Sequence, residues 1–458
     1  MKKIGALLNL PVWYGEVFFK DGLEEFFGPF REISSQSGYS SLQRDRAIRT
    51  VVGMIGDRIT GHLANPTRSK GQTSMLEELD CWKVDAEVAH RMIVRTPLLR
   101  TLRIWRGSDL KSAGTLLRDN HPGFTSLIFH EWYGSSADED FAHLLQDLQP
   151  QSLKFLEWIQ CSETLGVSAL GKHNTALTEM KIGTAYPAFI NSLPLIGVCA
   201  LLKTIHLDTC GSCDDMSAAD LRQIGRWLCT CVSLTDLTIC NFRNLQLGPE
   251  ILKPLLSSSI KLKKLTVRNY VAQAASDFHR ALAEQSNSLE SLVLSDKANS
   301  LEDEMESDME DDIEGDMADD IEGDMESDIL ASAITKLTEL RILELDVFND
   351  FSDTHLITIA SSLTNLEAFS VLGSRFSNII WPALSTLHSL RKLVLSSQDG
   401  FNFYEVLEYI DSLGAGNRGL ELCIGLASSN RATCSLHKVV VSGALLKKVG
   451  GQLDCRSR

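Results

Sequence analysis

A short pattern of hydrophobic positions recurs along the chain: apolar, two residues, apolar, one residue, apolar. It appears at Leu76/Leu79/Cys81, Leu99/Leu102/Ile104, Phe124/Leu127/Phe129, Leu153/Leu156/Trp158, Leu177/Met180/Ile182, Leu202/Ile205/Leu207, Leu234/Leu237/Ile239, Leu262/Leu265/Val267 and Leu289/Leu292/Leu294. It resumes at Leu340/Leu343/Leu345, Leu366/Phe369/Val371 and Leu390/Leu393/Leu395, and again at Leu436/Val439/Val441. The closing alternation has the period of a strand. Between motifs the spacing turns helical: Phe141, Leu144, Leu145 and Leu148 share one helical face, as do Leu221, Ile224 and Leu228, and Leu356, Ile359, Ala360 and Leu363. Ser136-x-x-Glu139 and Ser217-x-x-Asp220 have the form of helix-starting capping boxes.

The first nine motifs begin 23, 25, 29, 24, 25, 32, 28 and 27 residues apart. The next step is 51 residues, which marks an insertion inside the array. A weaker unit, Leu420-x-Leu422-x-Ile424, fits the long gap after residue 390. A strand this short cannot bury its own face, but stacked in parallel such strands share one sheet and one core. The expected fold is therefore an α/β solenoid, with a curved parallel sheet on its concave side and helices on its convex side. The expected organisation is a helical cap and polar loop over 1–75, repeats over 76–296, an acidic insertion over 297–330, and repeats with a C-terminal cap over 331–458. The cap reading rests on the stripe Ile48, Val51, Val52, Ile55 and Ile59, followed by a polar loop around Asn65 to Thr73.

Charge refines the insertion. The formal net charge of the chain is −16, and residues 302–328 hold 16 Asp and Glu with no Lys or Arg, so the remainder is neutral. Apolar residues recur every fourth position from Met305 to Ile329, a stripe that drifts by about 40° per step around a helix. Self-repulsion together with Gly315 and Gly323 points to a disordered loop. Docking of a basic partner or weak calcium binding is the functional alternative for it. A neutral body with an acidic segment argues against nucleic acid as a partner. No run is long and apolar enough to cross a bilayer. The opening Met1-Lys2-Lys3 and Ile4 to Leu8 resemble a secretory leader faintly, but Asn9 and Pro11 interrupt it. Eleven cysteines, an odd number, suit a reducing compartment, so cytoplasm or nucleus is expected.

Local chemistry is sparse. Gly166 to His173 nearly spells a phosphate-binding loop but ends on His173 where a hydroxyl is required. Its interior fits an inter-repeat helix. Cys199, Cys210, Cys213, Cys229, Cys231 and Cys240 invite a zinc reading, yet they lack two ligand pairs of suitable spacing and read as buried thiols. No catalytic constellation, cofactor site or metal site is expected.

Leu202-Lys-Thr-Ile-His-Leu-Asp-Thr-Cys210 and Leu153 to Cys161 carry the ninth-position cysteine of a leucine-rich repeat. On these residues the chain resembles leucine-rich-repeat proteins of the ribonuclease-inhibitor-like class. Phe30 to Ser35, Leu42 to Arg49 and Gly414 to Leu420 are similar to a fungal group of F-box/leucine-rich-repeat proteins. The resemblance implies a monomeric, non-enzymatic module that binds a protein partner. Its second implication is a substrate receptor that docks a ubiquitin-ligase adaptor. Leu10-Pro11 matches the opening of an F-box, whereas Val12-Trp13-Tyr14-Gly15 departs from it, so an F-box is not evident. A third reading, an enzyme regulator of GTPase-activating type, needs an exposed loop arginine that no pattern singles out.

Strand alternation places the third, fifth and seventh motif positions on the concave face. Large groups gather there on the first four strands: Trp82, Arg103, Trp105, Ile128, His130, Phe155 and Ile159. Later strands offer smaller groups such as Thr238, Thr266, Ser291 and Ser370. Aromatic residues and arginine dominate protein-binding hot spots, so these seven residues are the expected partner site; the alternative is that the N-terminal cap folds over them and hides them. Trp105→Ala should abolish capture of a bound partner at unchanged melting temperature, and retained capture would refute that assignment.

Overall fold

The computed structural model describes residues 77–454 apart from 83–85, 95, 106–111, 131–136, 160–164, 210–212, 214–215, 272–275, 296–319, 347–350, 373–375, 396–399 and 426–430. The chain divides into two units, Met1–Thr73 and Ser74–Arg458, and every described residue belongs to the second. The expected N-terminal cap and the capping residue Ser136 lie outside the described residues.

Strands and helices alternate without exception. Their order is β1 (Glu78–Trp82), α1 (Ala86–Val94), β2 (Thr101–Trp105), α2 (Ala113–Asn120), β3 (Ser126–His130), α3 (Ala137–Asp147), β4 (Phe155–Ile159) and α4 (Leu165–Leu170). Next come β5 (Glu179–Ala185), α5 (Pro187–Ser192), β6 (Thr204–Thr209), α6 (Ala218–Thr230), β7 (Asp236–Cys240), α7 (Lys253–Leu256), β8 (Lys264–Arg268) and α8 (Ser276–Leu282). The series ends with β9 (Ser291–Ser295), α9 (Asp320–Ile334), β10 (Ile342–Asp346), α10 (Asp353–Ser362), β11 (Ala368–Leu372), α11 (Trp381–Leu384), β12 (Lys392–Leu395), α12 (Phe403–Ser412), β13 (Glu421–Ile424), α13 (Arg431–Val449) and β14 (Gln452–Asp454). The 14 strands among the described residues form one parallel sheet in sequence order. This is an α/β solenoid of leucine-rich-repeat type.

The motif positions explain the register. Leu102 pairs with Leu127, Leu127 with Leu156, Ile205 with Leu237 and Leu237 with Leu265. Leu102, Leu127, Ile205 and Leu265 are each 0% exposed, so residues from separate repeats fill one interior. Each fully buried leucine contributes roughly 1.5–3 kcal/mol. β9 pairs directly with β10, Ser291 opposite Ile342, so the acidic segment leaves and re-enters within a single repeat.

The predicted helical stripes face this core. Leu144, Leu145, Leu221, Leu228, Leu356 and Ile359 are all fully buried. Ser217 caps α6 as expected: the Asp220 amide donates to Ser217 Oγ at 3.2 Å, and the Ser217 amide donates to the Asp220 carboxylate at 3.3 Å. Phe129, Phe141, Trp158 and Phe189 form a chain of ring contacts with centroids 4.4, 4.0 and 4.8 Å apart. Gly166 on α4 makes room for it, since a Cβ there would lie 2.6 Å from the Trp158 ring and 2.8 Å from Phe141.

One expectation is corrected. Leu436/Val439/Val441 is not a repeat strand but part of α13, and the strands lie on either side of it at β13 and β14. In the helix Val441 and Leu445, four residues apart, are buried while Val439 is 69% exposed. α9 begins at Asp320, within the acidic stretch. Ser327 and Leu330 are fully buried, so the end of the acidic stretch supplies the first turns of a repeat helix.

Turns leading into strands are held by buried polar side chains. Gln285 accepts from the Leu262 amide at 3.1 Å and donates to the carbonyls of Leu256 and Ile260 at 2.7 and 3.1 Å. Asn417 donates to Leu387 and Leu390 carbonyls at 2.8 and 3.1 Å. His173 Nδ1 accepts from the Leu153 amide at 3.4 Å, and its Nε2 lies 3.2 Å from the Leu145 carbonyl. Each reaches back to the preceding repeat and satisfies backbone groups that a core of leucines cannot.

Gln285→Ala should strip three buried backbone partners and cost on the order of 3 kcal/mol of unfolding free energy, read by chemical denaturation. A loss below about 1 kcal/mol would contradict that role. His279 is fully buried on α8, and burial drives its pKa down to about 3. Above pH 6.5 the imidazole is neutral folded or unfolded. Below that, only the unfolded chain takes the proton, so stability falls by about 1.4 kcal/mol per pH unit toward pH 3. His279→Gln should flatten the stability profile between pH 6.5 and 4.5 relative to the parent chain.

Candidate interaction surface

Every strand that buries its fourth and sixth motif positions must turn the third, fifth and seventh the other way. The pattern of half-exposed and buried residues on β4, β6, β7 and β9 follows this alternation strictly. On β4 to β11 these outward positions stay partly exposed, whereas on β12 and β13 the fifth-position residues Val394 and Cys423 are buried. That open face is where the predicted partner residues fall.

The register brings them side by side. Trp82 pairs with Trp105 and Trp105 with His130, on β1 to β3. The side chains of Trp82, Trp105 and His130 lie outside the described residues. Arg103 pairs with Ile128, and Ile128 with Glu157. Arg103 reaches Glu78 at 3.5 Å, with both side chains 33% exposed. Phe155 and Ile159 are half-exposed on β4. Ile128 departs from expectation: it is only 7% exposed, lying between the longer side chains of Arg103 and Glu157, so it forms floor rather than anchor.

Sequence reading missed the features at β5. Lys181 extends over the Phe155 ring, 5.1 Å from its centroid, and its ammonium is 2.9 Å from Glu179. Two residues on, Gly183 pairs with Ile159 of β4. The register shifts between Ile182 and Ala185, and Thr184 adopts φ +53°, an uncommon conformation for a β-branched residue. This is a bulge, and the Ile159 side chain lies against Gly183, 3.3 Å from where a Cβ would stand. The only sign of it in the sequence is a glycine at a seventh motif position.

Beyond β6 an amide ladder edges the face. Asn269 donates to Asn241, and Asn241 donates to the Asp208 carboxylate at 2.6 Å. Both asparagines have positive φ, 54° and 59°, which asparagine tolerates better than most residues. Burial holds His206, on β6, below its ordinary pKa. Asp208 and Glu157 pull it upward and Lys181 pushes it further down. His206 is accordingly neutral at pH 7.

Cys240 lies on this face beside Asp208 and Arg268, half-exposed, and burial raises its thiol pKa. Burial pushes Cys199 and Cys231 up to about 11 and 12, which leaves both as thiols. Among the described residues no three His, Cys, Asp or Glu are placed to hold a metal ion. The near phosphate loop is the helix α4 followed by a turn, with His173 buried inside. No helix among the described residues is long and apolar enough to cross a membrane.

No family model matches the chain, and no curated protein does. Among solved structures it is similar to an internalin of Listeria monocytogenes, at 15% identity over 88% of this chain and 95% of that one, with a TM-score of 0.45. It is also similar to a chain of the yeast Rad7 and Elc1 complex, at 11% identity over 94% of this chain and 93% of that one, with a TM-score of 0.45. At such values the likeness adds nothing to the argument, and the fold rests on the strand order and register given above.

Proposed function

We propose that the chain is a non-catalytic protein-interaction module whose partner lies on the open face of the sheet, toward its N-terminal half. The observation that supports this most is the half-exposed row on β2 to β6. There Arg103, Phe155, Ile159, Lys181 and His206 project side by side from a rigid sheet. A broad, preformed surface mixing aromatic, aliphatic and charged groups suits protein recognition, where ordering costs are low and a few anchors dominate affinity. It has none of the enclosure that catalysis uses to exclude water.

The narrower readings rest on sequence motifs alone. A substrate receptor of a ubiquitin ligase would dock its adaptor through residues 1–75, and none of these is described. The ribonuclease-inhibitor-like and fungal F-box resemblances stand on the quoted repeat residues. Cytoplasmic or nuclear residence rests on the odd cysteine count. No described residue favours the GTPase-activating reading.

Affinity capture with the full chain tests the proposal. The double variant Phe155→Ala, Ile159→Glu should lower recovery of a specific partner at least tenfold at unchanged melting temperature. Tyr404→Ala, on the helix side and 72% exposed, should leave recovery intact. Loss with Tyr404→Ala alone, or no loss with the double variant, would overturn the open-face assignment.

A further inference from the structure

We infer that the β14 end of the sheet docks an extended acidic segment of a partner protein. The segment pairs with the free edge of β14, seats an apolar side chain beside α13, and carries a carboxylate two positions away. The case begins with a core that stops unfinished. The fourth motif position is closed on strand after strand: Leu79 is 1% exposed, and Leu102, Leu343, Leu393 and Leu422 are 0% exposed. Leu453 pairs with Leu422 and holds that position on β14, yet it is half-exposed. Among the described residues β14 has one neighbouring strand, β13.

The backbone is unfinished at the same place. The Gln452 amide donates to the Leu420 carbonyl at 3.0 Å, so Gln452 turns its peptide groups toward β13. In a parallel ladder the next residue turns the other way. The amide and carbonyl of Leu453 therefore face the free edge, where one more strand would pair with them. Beside that edge runs a groove of about 610 Å³, lined by Lys438, Val439, Ser442 and Gly443 of α13 and by Leu453. Val439 is 69% exposed, and a Cβ built on Gly443 would meet nothing within 4 Å. An unpaired strand edge next to an apolar groove suits an extended peptide, which gains affinity from main-chain pairing and specificity from alternate side chains.

Charge selects the guest. Between Leu422 and Leu453 there is no Asp or Glu, whereas Arg431, Lys438, Lys447 and Lys448 are cationic. Lys448 donates to the Asp411 carbonyl at 2.6 Å, and among the described residues no ion pair engages Lys438 or Lys447. The carboxylates of Glu421 and Asp454 stand on the same strands as Leu422 and Leu453, one residue away, so alternation turns them to the opposite face. Asp454 accepts there from the Cys423 thiol at 3.7 Å. In a paired strand, residues two apart share a face, so an apolar residue beside Leu453 places a carboxylate two positions away on the side of Lys438. The same lysines argue against a second copy, since a two-fold pairing of this end with itself sets lysine against lysine. A head-to-tail copy would meet β1, whose Leu79 is already buried and offers no apolar face. The site is separate from the N-terminal half of the open face and does not depend on that reading.

The test uses the full chain with leucine and valine methyl groups labelled for NMR. The probe is the pentapeptide Glu-Thr-Leu-Thr-Glu with blocked ends, and the control carries Lys for Glu. The glutamate peptide should shift the Leu453 and Val439 methyl signals saturably, and the lysine peptide should not. Methylation of the probe's leucine amide nitrogen, which blocks strand pairing, should weaken binding at least tenfold. Gly443→Leu fills the groove from an exposed helix position and should abolish the Leu453 shift without lowering the melting temperature. Lys438→Glu should weaken the glutamate peptide about tenfold and let the lysine peptide bind. The double variant Phe155→Ala, Ile159→Glu should bind the probe as the parent chain does. No shift at Leu453, an equal shift with the lysine peptide, or undiminished binding by Gly443→Leu would overturn the inference. A dimer of the free chain in sedimentation, dissociated by Gly443→Leu, would give this end to a second copy and overturn it as well.

Discussion

Strands of three to seven residues cannot bury a face of their own, and everything in this chain follows from the way that deficit is met. Each strand donates two or three apolar side chains to an interior that exists only because its neighbours do the same. Leu102, Leu127, Leu156, Met180 and Ile205 form a continuous buried row for this reason, and the helices close it from one side. The other side of the sheet is then obliged to face outward. The open surface is the geometric remainder of a one-sided core.

The same constraint accounts for the polar interior. Parallel strands need a return path, and each return places amides and carbonyls at the edge of the core. Gln285, Asn417 and His173 satisfy them from within the following repeat, so the interior is held together by hydrogen bonds between repeats as well as by burial. The ring contacts from Phe129 to Phe189 thicken the core where the helices α4 and α5 are short. Large side chains there compensate for the small area that a one-turn helix can cover.

Much of the architecture was legible in the sequence because it is periodic. Twelve motifs mark strands β1 to β12, and across the step of 51 residues β9 and β10 still pair as neighbours. What was not legible lay where periodicity is ambiguous. Leu436, Val439 and Val441 satisfy a strand motif and a helix alike, and only packing of Val441 and Leu445 decides for the helix. The acidic stretch continues into α9 because Leu330 and Ile334 supply a core face that composition conceals. At the candidate surface, alternation identified the face but not its relief. Ile128 sits low between longer neighbours, and the bulge between Ile182 and Ala185 follows from no hydrophobic pattern.

The most direct measurement of the central claim is hydroxyl-radical footprinting of side chains, with and without a captured partner. The account predicts that Phe155, Ile159 and His206 become protected in the complex while the helix-side residues Tyr404 and Leu446 do not. Protection confined to Tyr404, Leu446 or other helix-side positions, with the open face reacting unchanged, would contradict it.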